Sequence, residues 1–226
     1  MAKKSFRESF WEMPVNQQSK AIVRHLKYKC RTKNVSHALS GLSKVDLPVP
    51  NEFIRLDPNE MEYLFMVGKA AKRGIVEIGR LNGGSTLCLA FANTKTPIYS
   101  IDINPRDDNF LTELFENLGV GQNVNLITGS SHDTTIINSI SDVDMLFVDG
   151  DHSYEGCLND LNLWWERLIP GGHIVCHDCY HGGDPQNAII DFLIGKNVIM
   201  HKSPFIAIKH WISNEAGSIS HFQKPY

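Results

Sequence analysis

Apolar and polar residues between about residue 55 and residue 212 follow two alternating patterns. Short β-branched runs bounded by glycine or polar residues predict buried strands, and apolar residues spaced three or four apart predict amphipathic helices. Strands are predicted at residues 75–78, 97–102, 124–128, 143–148 and 173–177. Helices are predicted at residues 57–72, 85–93, 109–118, 133–140, 154–168 and 185–194. This alternation predicts an α/β fold with a mostly parallel sheet and right-handed crossovers.

The end of the chain departs from that alternation. Two further strands are predicted at residues 198–201 and 205–211, with Ser203 and Pro204 between them. Because so short a connection cannot cross over a sheet, these strands predict a C-terminal antiparallel hairpin. The expected sheet therefore has seven strands and is mostly parallel. Before it, Pro170-Gly171-Gly172 is expected to form the turn that leads into the fifth strand.

Composition and charge divide the 226 residues into two parts. Residues 1–50 carry ten Lys or Arg and three Asp or Glu, and they predict a basic helical extension that acts as a lid or an oligomer contact. Residues 51–226 are long enough for one α/β domain with a sizeable core. A solvated helical face explains the basic residues better than a nucleic-acid partner, since no aromatic interleaving accompanies them.

The same sequence predicts a cytoplasmic protein. No apolar run reaches the roughly 18 residues of a membrane span, and the first residues lack the apolar segment of a secretory signal. Five cysteines form no disulfide framework and are expected to be reduced.

One glycine-rich stretch, residues 74–86, predicts a ligand site. It reads as a buried strand containing Glu77, a turn with Gly79 and Gly83, and a helix that begins near Ser85. Glycines let the backbone come close to a ligand, and a helix N-terminus offers free N–H groups. The second close glycine of a dinucleotide turn is missing, which favours a ligand with a cationic end over a pyrophosphate.

Four of the five predicted parallel strands present an acidic residue at or near their carboxyl ends. These residues are Glu77, Asp102, Asp149 and Asp178, and they are expected to converge at the carboxyl edge of the sheet. Crowded carboxylates are costly without a cation or hydroxyl groups between them. Asp102, about twenty residues beyond the glycine turn, is suited to accept both hydroxyls of a ribose, in folds that bind NAD as well as in folds that bind S-adenosylmethionine (SAM).

The glycine stretch, Asp102 and the segments 147–161 and 168–178 together resemble class I SAM-dependent methyltransferases, in particular the macrocin and other sugar O-methyltransferases and, more distantly, catechol O-methyltransferase. This resemblance covers roughly residues 55–212. It implies a Rossmann-like methyltransferase fold and methyl transfer from SAM to a hydroxyl of a small molecule such as a sugar or a phenol. It also implies a homo-oligomer, because relatives often assemble into dimers or larger forms.

The resemblance also implies roles for individual residues. Glu77, Gly79, Gly83 and Ser85 would line the methionine part of SAM, and Asp102 would hold its ribose. The segment Ser130-Ser131-His132 would flank the adenine. Asp149 matches a position that lies near the methyl donor and binds a divalent cation in relatives, and Asp178 matches a second metal position. His152 and His177 are candidates for the general base or for a further ligand, which makes Asp149, His152 and His177 the expected catalytic residues.

The metal is left open by the sequence. Relatives commonly have Asp-Asp or Asp-Asn where this chain has His177-Asp178-Cys179, and sulfur is a poor ligand for Mg²⁺. Asp149, Asp178 and water could bind Mg²⁺, His177 could favour Mn²⁺, or a histidine could act without any metal. A structural zinc site at Cys176 and Cys179 is less favoured because no second Cys/His pair stands at the required spacing.

Two other classes of function remain as alternatives. One is an NAD-dependent oxidoreductase on a Rossmann-like fold, against which the glycine spacing argues. The other is a non-catalytic module that binds an adenosine ligand or a nucleic acid, against which the complete set Asp149, His152 and Asp178 argues.

Overall fold

The computed structural model describes residues 53–198, 205–206 and 219–226. The predicted extension at residues 1–50 lies outside these residues, as does most of the predicted strand at 198–201. The described helices are α1 Pro58–Ala70, α2 Gly84–Ala92, α3 Asp108–Leu118, α4 Thr134–Ser139, α5 Tyr154–Trp165 and α6 Asp184–Gly195. The described strands are β1 Ile75–Ile78, β2 Ile98–Asp102, β3 Val124–Thr128, β4 Val143–Val148, β5 Leu168–Cys176, β6 Phe205–Ile206 and β7 Ile219–Gln223.

The strands form one seven-stranded sheet in the order β3-β2-β1-β4-β5-β7-β6. The first five are parallel, and β7 is antiparallel to both β5 and β6. The α/β fold class and the antiparallel C-terminal pair are therefore confirmed. Because β1 pairs with β2 on one side and β4 on the other, the strand order reverses there, and a ligand crevice is expected at their carboxyl ends.

Helices cover both faces of the sheet, and successive β1 residues point to opposite sides. Ile75 packs into one apolar cluster with residues of α1, α2 and α3, whereas Val76 packs into a second with residues of α5 and α6. Both side chains are fully buried, which explains why the run is apolar throughout rather than alternating. No helix in the described part of the chain is long and apolar enough to cross a membrane.

Helix α1 begins at the segment Asp57-Pro58-Asn59-Glu60, within one residue of the predicted start at residue 57. The Asp57 side chain caps the helix, and Glu60 Oε2 accepts a hydrogen bond from the Asp57 backbone N–H at 3.0 Å. This reciprocal pair is a capping box, and Pro58 occupies a first-turn position where no N–H is needed. The box fixes the start of α1 beside the carboxyl end of the sheet.

Two local predictions are wrong. The Pro170-Gly171-Gly172 segment does not turn into β5 but lies inside it, because Gly171 adopts φ +79° and its N–H still donates to Lys224 O. This local irregularity allows a proline and two glycines to stay within a strand. Val198 is not in a strand, and the partner of β6 is the unpredicted strand Ile219–Gln223.

Candidate active site at the carboxyl edge of the sheet

A cavity of about 940 Å³ opens at the carboxyl ends of β1, β2, β4 and β5. It is lined by most of the residues that the sequence nominated: Gly79, Ser85, Asp102, Ser130, Ser131, His132, Asp149, His152, His177 and Asp178. Its volume suits a ligand of cofactor size. Glu77 and Gly83 do not line it, and they support its wall from behind.

Gly79 is required where the turn after β1 passes the end of β4. Its φ is +84°, and a Cβ placed there would lie 2.2 Å from the carbonyl oxygen of Asp149. Any side chain would push the two strand ends apart. Gly83, also at positive φ, is the N-cap of α2 and supplies no side-chain cap, so the first N–H groups of α2 remain available beside Gly84 and Ser85, which line the cavity.

Glu77 is fully buried beneath this turn. Its Oε2 accepts hydrogen bonds from Thr86 Oγ1 at 2.6 Å and from Ser100 Oγ at 2.5 Å. Burial raises the pKa of the Glu77 carboxyl despite these donors. Glu77 thus links β1, β2 and α2 through hydrogen bonds. The predicted direct contact between Glu77 and the methionine part of SAM would require this buried carboxylate to become exposed to the cavity.

Asp102 ends β2 at the edge of the cavity and holds the glycine turn. Its Oδ2 accepts hydrogen bonds from the backbone N–H groups of Arg80 and Leu81 at 2.9 and 2.8 Å, and its Oδ1 accepts one from Asn104 at 2.7 Å. A carboxylate oxygen can accept more than one hydrogen bond, so these contacts orient Asp102 and leave capacity for a ligand hydroxyl.

Arg80 was not singled out from the sequence, although it lies within the glycine turn. Its guanidinium is fully buried and forms an ion pair with Asp108 at 2.5 Å. It also donates to the carbonyl oxygens of Ser100 and Ile127. Arg80 therefore fastens the turn to β2, β3 and α3, and its charge is satisfied within the fold rather than presented to the cavity.

Asp149, His152 and Asp178 form one cluster at the ends of β4 and β5. His152 Nε2 lies 3.4 Å from Asp149 Oδ1 and 3.5 Å from Asp178 Oδ2. Within the described residues, this is the group whose potential metal-ligating atoms all lie within 4.8 Å of one another. The imidazole in this group is that of His152, whereas the sequence nominated His177 as the third ligand. His177 Nδ1 also lies near both carboxylates, 3.2 Å from Asp149 Oδ1 and 3.6 Å from Asp178 Oδ2.

Asp178 occupies a strained backbone position in this cluster. Its φ is +53°, a left-handed conformation that is unfavourable for a residue with a Cβ. Strain of this kind persists where the surrounding structure imposes it, and it is concentrated at functional sites. Here the left-handed conformation directs Asp178 toward the end of β4.

His177 lies behind this cluster between two carboxylates. Its Nε2 is 2.9 Å from Glu60 Oε2, and its Nδ1 is 3.2 Å from Asp149 Oδ1. Burial by itself would lower the pKa of His177, but Asp149, Asp178 and Glu60 raise it well above its ordinary value. His177 and His152 in turn hold the pKa of Asp149 below its ordinary value against the effect of burial. Glu60 therefore has two contacts, since it also closes the capping box at the start of α1.

His152 is the exposed member of the group, with about half of its side chain in contact with solvent. The hydrogen bond to Asp149 and the nearby charge of Asp178 raise the pKa of His152. A neutral imidazole at this position can ligate a cation or accept a proton from a ligand in the cavity.

The loop after β3 forms the opposite wall of the cavity. Ser131 Oγ donates to Asp160 Oδ1 at 2.6 Å, and His132 Nε2 lies 3.1 Å from the same oxygen. Burial raises the pKa of Asp160, and Ser131 and His132 oppose that shift. Asp160 was not nominated from the sequence.

The four described cysteines are free and buried. Cys176 ends β5 and belongs to an apolar cluster. Burial raises the thiol pKa of Cys157, and the contact with Cys179 together with burial raises that of Cys176. Protonated thiols packed among apolar side chains behave as small hydrophobic groups. No described cysteine belongs to the metal-compatible group.

The strand order, the cavity at its reversal point and the carboxylates at the strand ends define a Rossmann-like fold of the class I SAM-dependent methyltransferase type. Comparison with known families agrees: residues 76–179 match the family model of a methyltransferase domain. This match and the fold confirm the resemblance to class I SAM-dependent methyltransferases that the sequence predicts.

One curated relative is an uncharacterized protein of Acanthamoeba polyphaga mimivirus. It is 35% identical over 111 residues, which cover 46% of this chain and 50% of that protein. The chain thus matches about half the length of this relative.

Solved structures share the fold over most of the chain. An O-methyltransferase from Bacillus cereus in complex with S-adenosylhomocysteine (SAH) has a TM-score of 0.64 at 17% identity, covering 92% of this chain and 100% of that one. TomG from Streptomyces achromogenes, an O-methyltransferase involved in tomaymycin synthesis and solved in complex with SAM, has a TM-score of 0.61 at 16% identity, covering 95% and 100%. At such identities these similarities establish the fold.

Proposed function

We propose that this chain transfers the methyl group of SAM to a hydroxyl of a small molecule, such as a sugar or a phenol, with the help of a divalent cation. The observation that carries the proposal is the meeting of Asp149, His152 and Asp178 in the same cavity as the glycine turn and Asp102. The O-methyltransferases of similar fold support the choice of a hydroxyl acceptor.

The cofactor half of the cavity suits SAM in charge and shape. The uncapped N–H groups at the start of α2 would hold the carboxylate of its methionine part, and Asp102 would accept hydrogen bonds from its ribose. The segment Ser130-Ser131-His132 would flank the adenine. When bound, SAM supplies a methyl group that is already activated, so the protein needs chiefly to align the acceptor and remove its proton.

The acceptor half suits a cation such as Mn²⁺. Two carboxylates and one imidazole provide hard oxygen donors and a nitrogen donor, a mixture that transition metals accept more readily than Mg²⁺ does. Asp149, His152 and Asp178 would hold the ion, which lowers the pKa of a bound hydroxyl. His177 would hold Asp149 in position, because its two nitrogens contact Glu60 and Asp149.

His152 has a second role if the reaction needs no metal. Its exposed ring could then take the acceptor proton directly, with Asp149 orienting it. Adding EDTA to the methyl-transfer reaction distinguishes the two roles, since only the metal-assisted reaction would stop and then recover with Mn²⁺.

Residues 51–226 are proposed as the methyltransferase domain and residues 1–50 as a lid or an oligomer contact. Phe53 and Asp57, which are described residues that follow this segment in sequence, line the cavity, and this supports a role for the segment there. The free state of the described thiols supports a cytoplasmic location.

Calorimetric titration of SAH into the full chain tests the cofactor assignment. We expect saturable binding in a one-to-one complex, and we expect NADH to give no heat of binding under the same conditions. Absence of SAH binding at about 1 mM ligand would contradict the proposed function.

A further inference from the structure

Helix α5 carries a buried carboxylate to which the proposed methyl transfer assigns no role. Asp160 is 1% exposed. Its Oδ1 accepts a hydrogen bond from Ser131 Oγ at 2.6 Å and forms a second one with His132 Nε2 at 3.1 Å. One turn further along α5, Trp164 Nε1 donates to the carbonyl oxygen of Ser131 at 3.0 Å. Three hydrogen bonds therefore fasten the loop after β3 to α5.

These contacts determine which nitrogen of His132 carries a proton. Asp160 Oδ1 already accepts the hydrogen bond of Ser131 Oγ, and an accepting carboxylate oxygen needs a donor, so Nε2 of His132 carries the proton shared with it. In the neutral ring Nδ1 is then an acceptor. Within the described residues, no hydrogen bond is formed with Nδ1, and the ring lines the cavity with 40% of its side chain exposed.

We propose that Asp160 is a positioning residue for nucleoside recognition. By holding the Nε2–H of His132, it leaves Nδ1 as an acceptor for the exocyclic amino group of an adenine-type base. The inference rests on the proposed use of SAM and adds a basis for selecting its base. A 6-amino purine donates to such an acceptor, whereas a 6-oxo purine would oppose one lone pair to another.

A purely mechanical role for Asp160 makes a different prediction. If Asp160 only fastened the loop, its loss would weaken binding of all ligands alike, and the loss of Ser131 Oγ would act in the same direction. If it acts through His132, its loss changes the ratio of affinities for amino and oxo ligands. Ser131→Ala is therefore the matched control, because it removes a hydrogen bond to the same oxygen but leaves the His132 contact.

The experiment is calorimetric titration of the full chain with SAH and with S-inosylhomocysteine, its 6-oxo counterpart. We expect the wild type to bind SAH at least about tenfold more tightly. His132→Ala and Asp160→Ala should each bring this ratio close to one, and the double variant should lose no more than His132→Ala alone. Asp160→Asn, which keeps an acceptor oxygen, should retain most of the ratio, as should Ser131→Ala.

Each outcome bears on a separate claim. Failure of the wild type to bind SAH would overturn the proposed function and this inference with it. SAH binding without preference over the inosyl ligand, or effects of Asp160→Ala and His132→Ala that simply add, would overturn this inference alone. If circular dichroism shows that Asp160→Ala does not fold, His132→Ala takes its place in this test, because His132 is partly exposed and its replacement disturbs the fold less. An unchanged ratio of affinities for the amino and oxo ligands in His132→Ala would then overturn the inference.

Discussion

Two histidines packed against helix α1 show opposite electrostatic behaviour. His177 lies between Glu60 and Asp149, and its pKa is raised well above the ordinary value. His221, on β7, lies between Tyr63 and His173, with its Nδ1 2.5 Å from the Tyr63 oxygen and its Nε2 2.9 Å from His173 Nδ1. Burial, together with the charge of His173 when protonated, lowers the pKa of His221 to about 4.

Burial acts in the same direction on both rings, so their partners cause the difference. Carboxylates on both sides favour the imidazolium of His177, whereas a phenol and a second imidazole give the charged form of His221 no compensation. Glu60 and Tyr63 are three residues apart and therefore lie on the same side of α1. One helix thus supports a charged group at the cavity and a neutral group beside the C-terminal strands.

The largest effect should come from a carboxylate at the cavity. Asp178→Asn removes one of the two carboxylates proposed to bind the cation, and we expect the affinity for Mn²⁺ to fall about 10–100-fold. Tyr63→Phe, which alters the neutral group, should leave this affinity unchanged. Titration of the full chain with MnCl₂ measures both, and wild-type affinity in Asp178→Asn would argue that the cluster is not the metal site.

An effect on stability rather than on affinity is expected from Glu60→Gln. Glutamine can still serve in a capping box, so the change isolates the contact between Glu60 and His177. Weakening a charged hydrogen bond in a buried site should lower the free energy of unfolding by about 2–3 kcal/mol. Tyr63→Phe on the same helix should cost about 1 kcal/mol or less. Urea denaturation at neutral pH measures both, and equal losses would show that the carboxylate adds nothing beyond an ordinary hydrogen bond.

The residues of the site differ in how strongly local patterns indicate them. Asp102, Asp149 and Asp178 could be predicted because each ends or follows a strand, and parallel strands bring their carboxyl ends to one edge. Glu60 could not, since its contact with His177 joins residues 117 positions apart, and the capping pattern already accounts for an acid at that position.

The spacing of apolar residues along α5 could have indicated that Asp160 is buried. Cys157, Leu161 and Trp164 are buried on one side of α5, and Asp160 falls on that side by its spacing. A carboxylate on the apolar side of a helix needs hydrogen-bond partners, which points toward a functional or structural network. What the pattern could not supply was the identity of those partners, the loop residues Ser131 and His132.

The fold was predictable where strands and helices alternate and less so at its C-terminal edge. The boundaries of β3 and β4 were predicted without error because both are short segments of mostly apolar residues. Strand β7, Ile219–Gln223, contains Ser, His and Gln, so its hydrogen bonding to β5 rather than its composition defines it.

The smallest predicted effect is on the pH dependence of stability, to which His177 and His221 contribute over different pH ranges. The folded pKa of His221, about 4, lies below its ordinary 6.5, so its contribution to stability is present above pH 6.5 and is lost as the pH falls toward 4. The folded pKa of His177 is raised, so its contribution is present below pH 6.5 and is lost as the pH rises through the raised value. With allowance for solvent around the partly exposed His221, its share is about 2 kcal/mol.

Urea denaturation from pH 4 to pH 9 without divalent cations would resolve these contributions. His221→Gln should flatten the acidic side of the stability profile by about 2 kcal/mol and leave the alkaline side unchanged. His177→Gln should do the reverse, because it removes a group whose protonated form is the stabilising one. If both variants flattened the same side of the profile, the partners on α1 would not be what distinguishes the two rings.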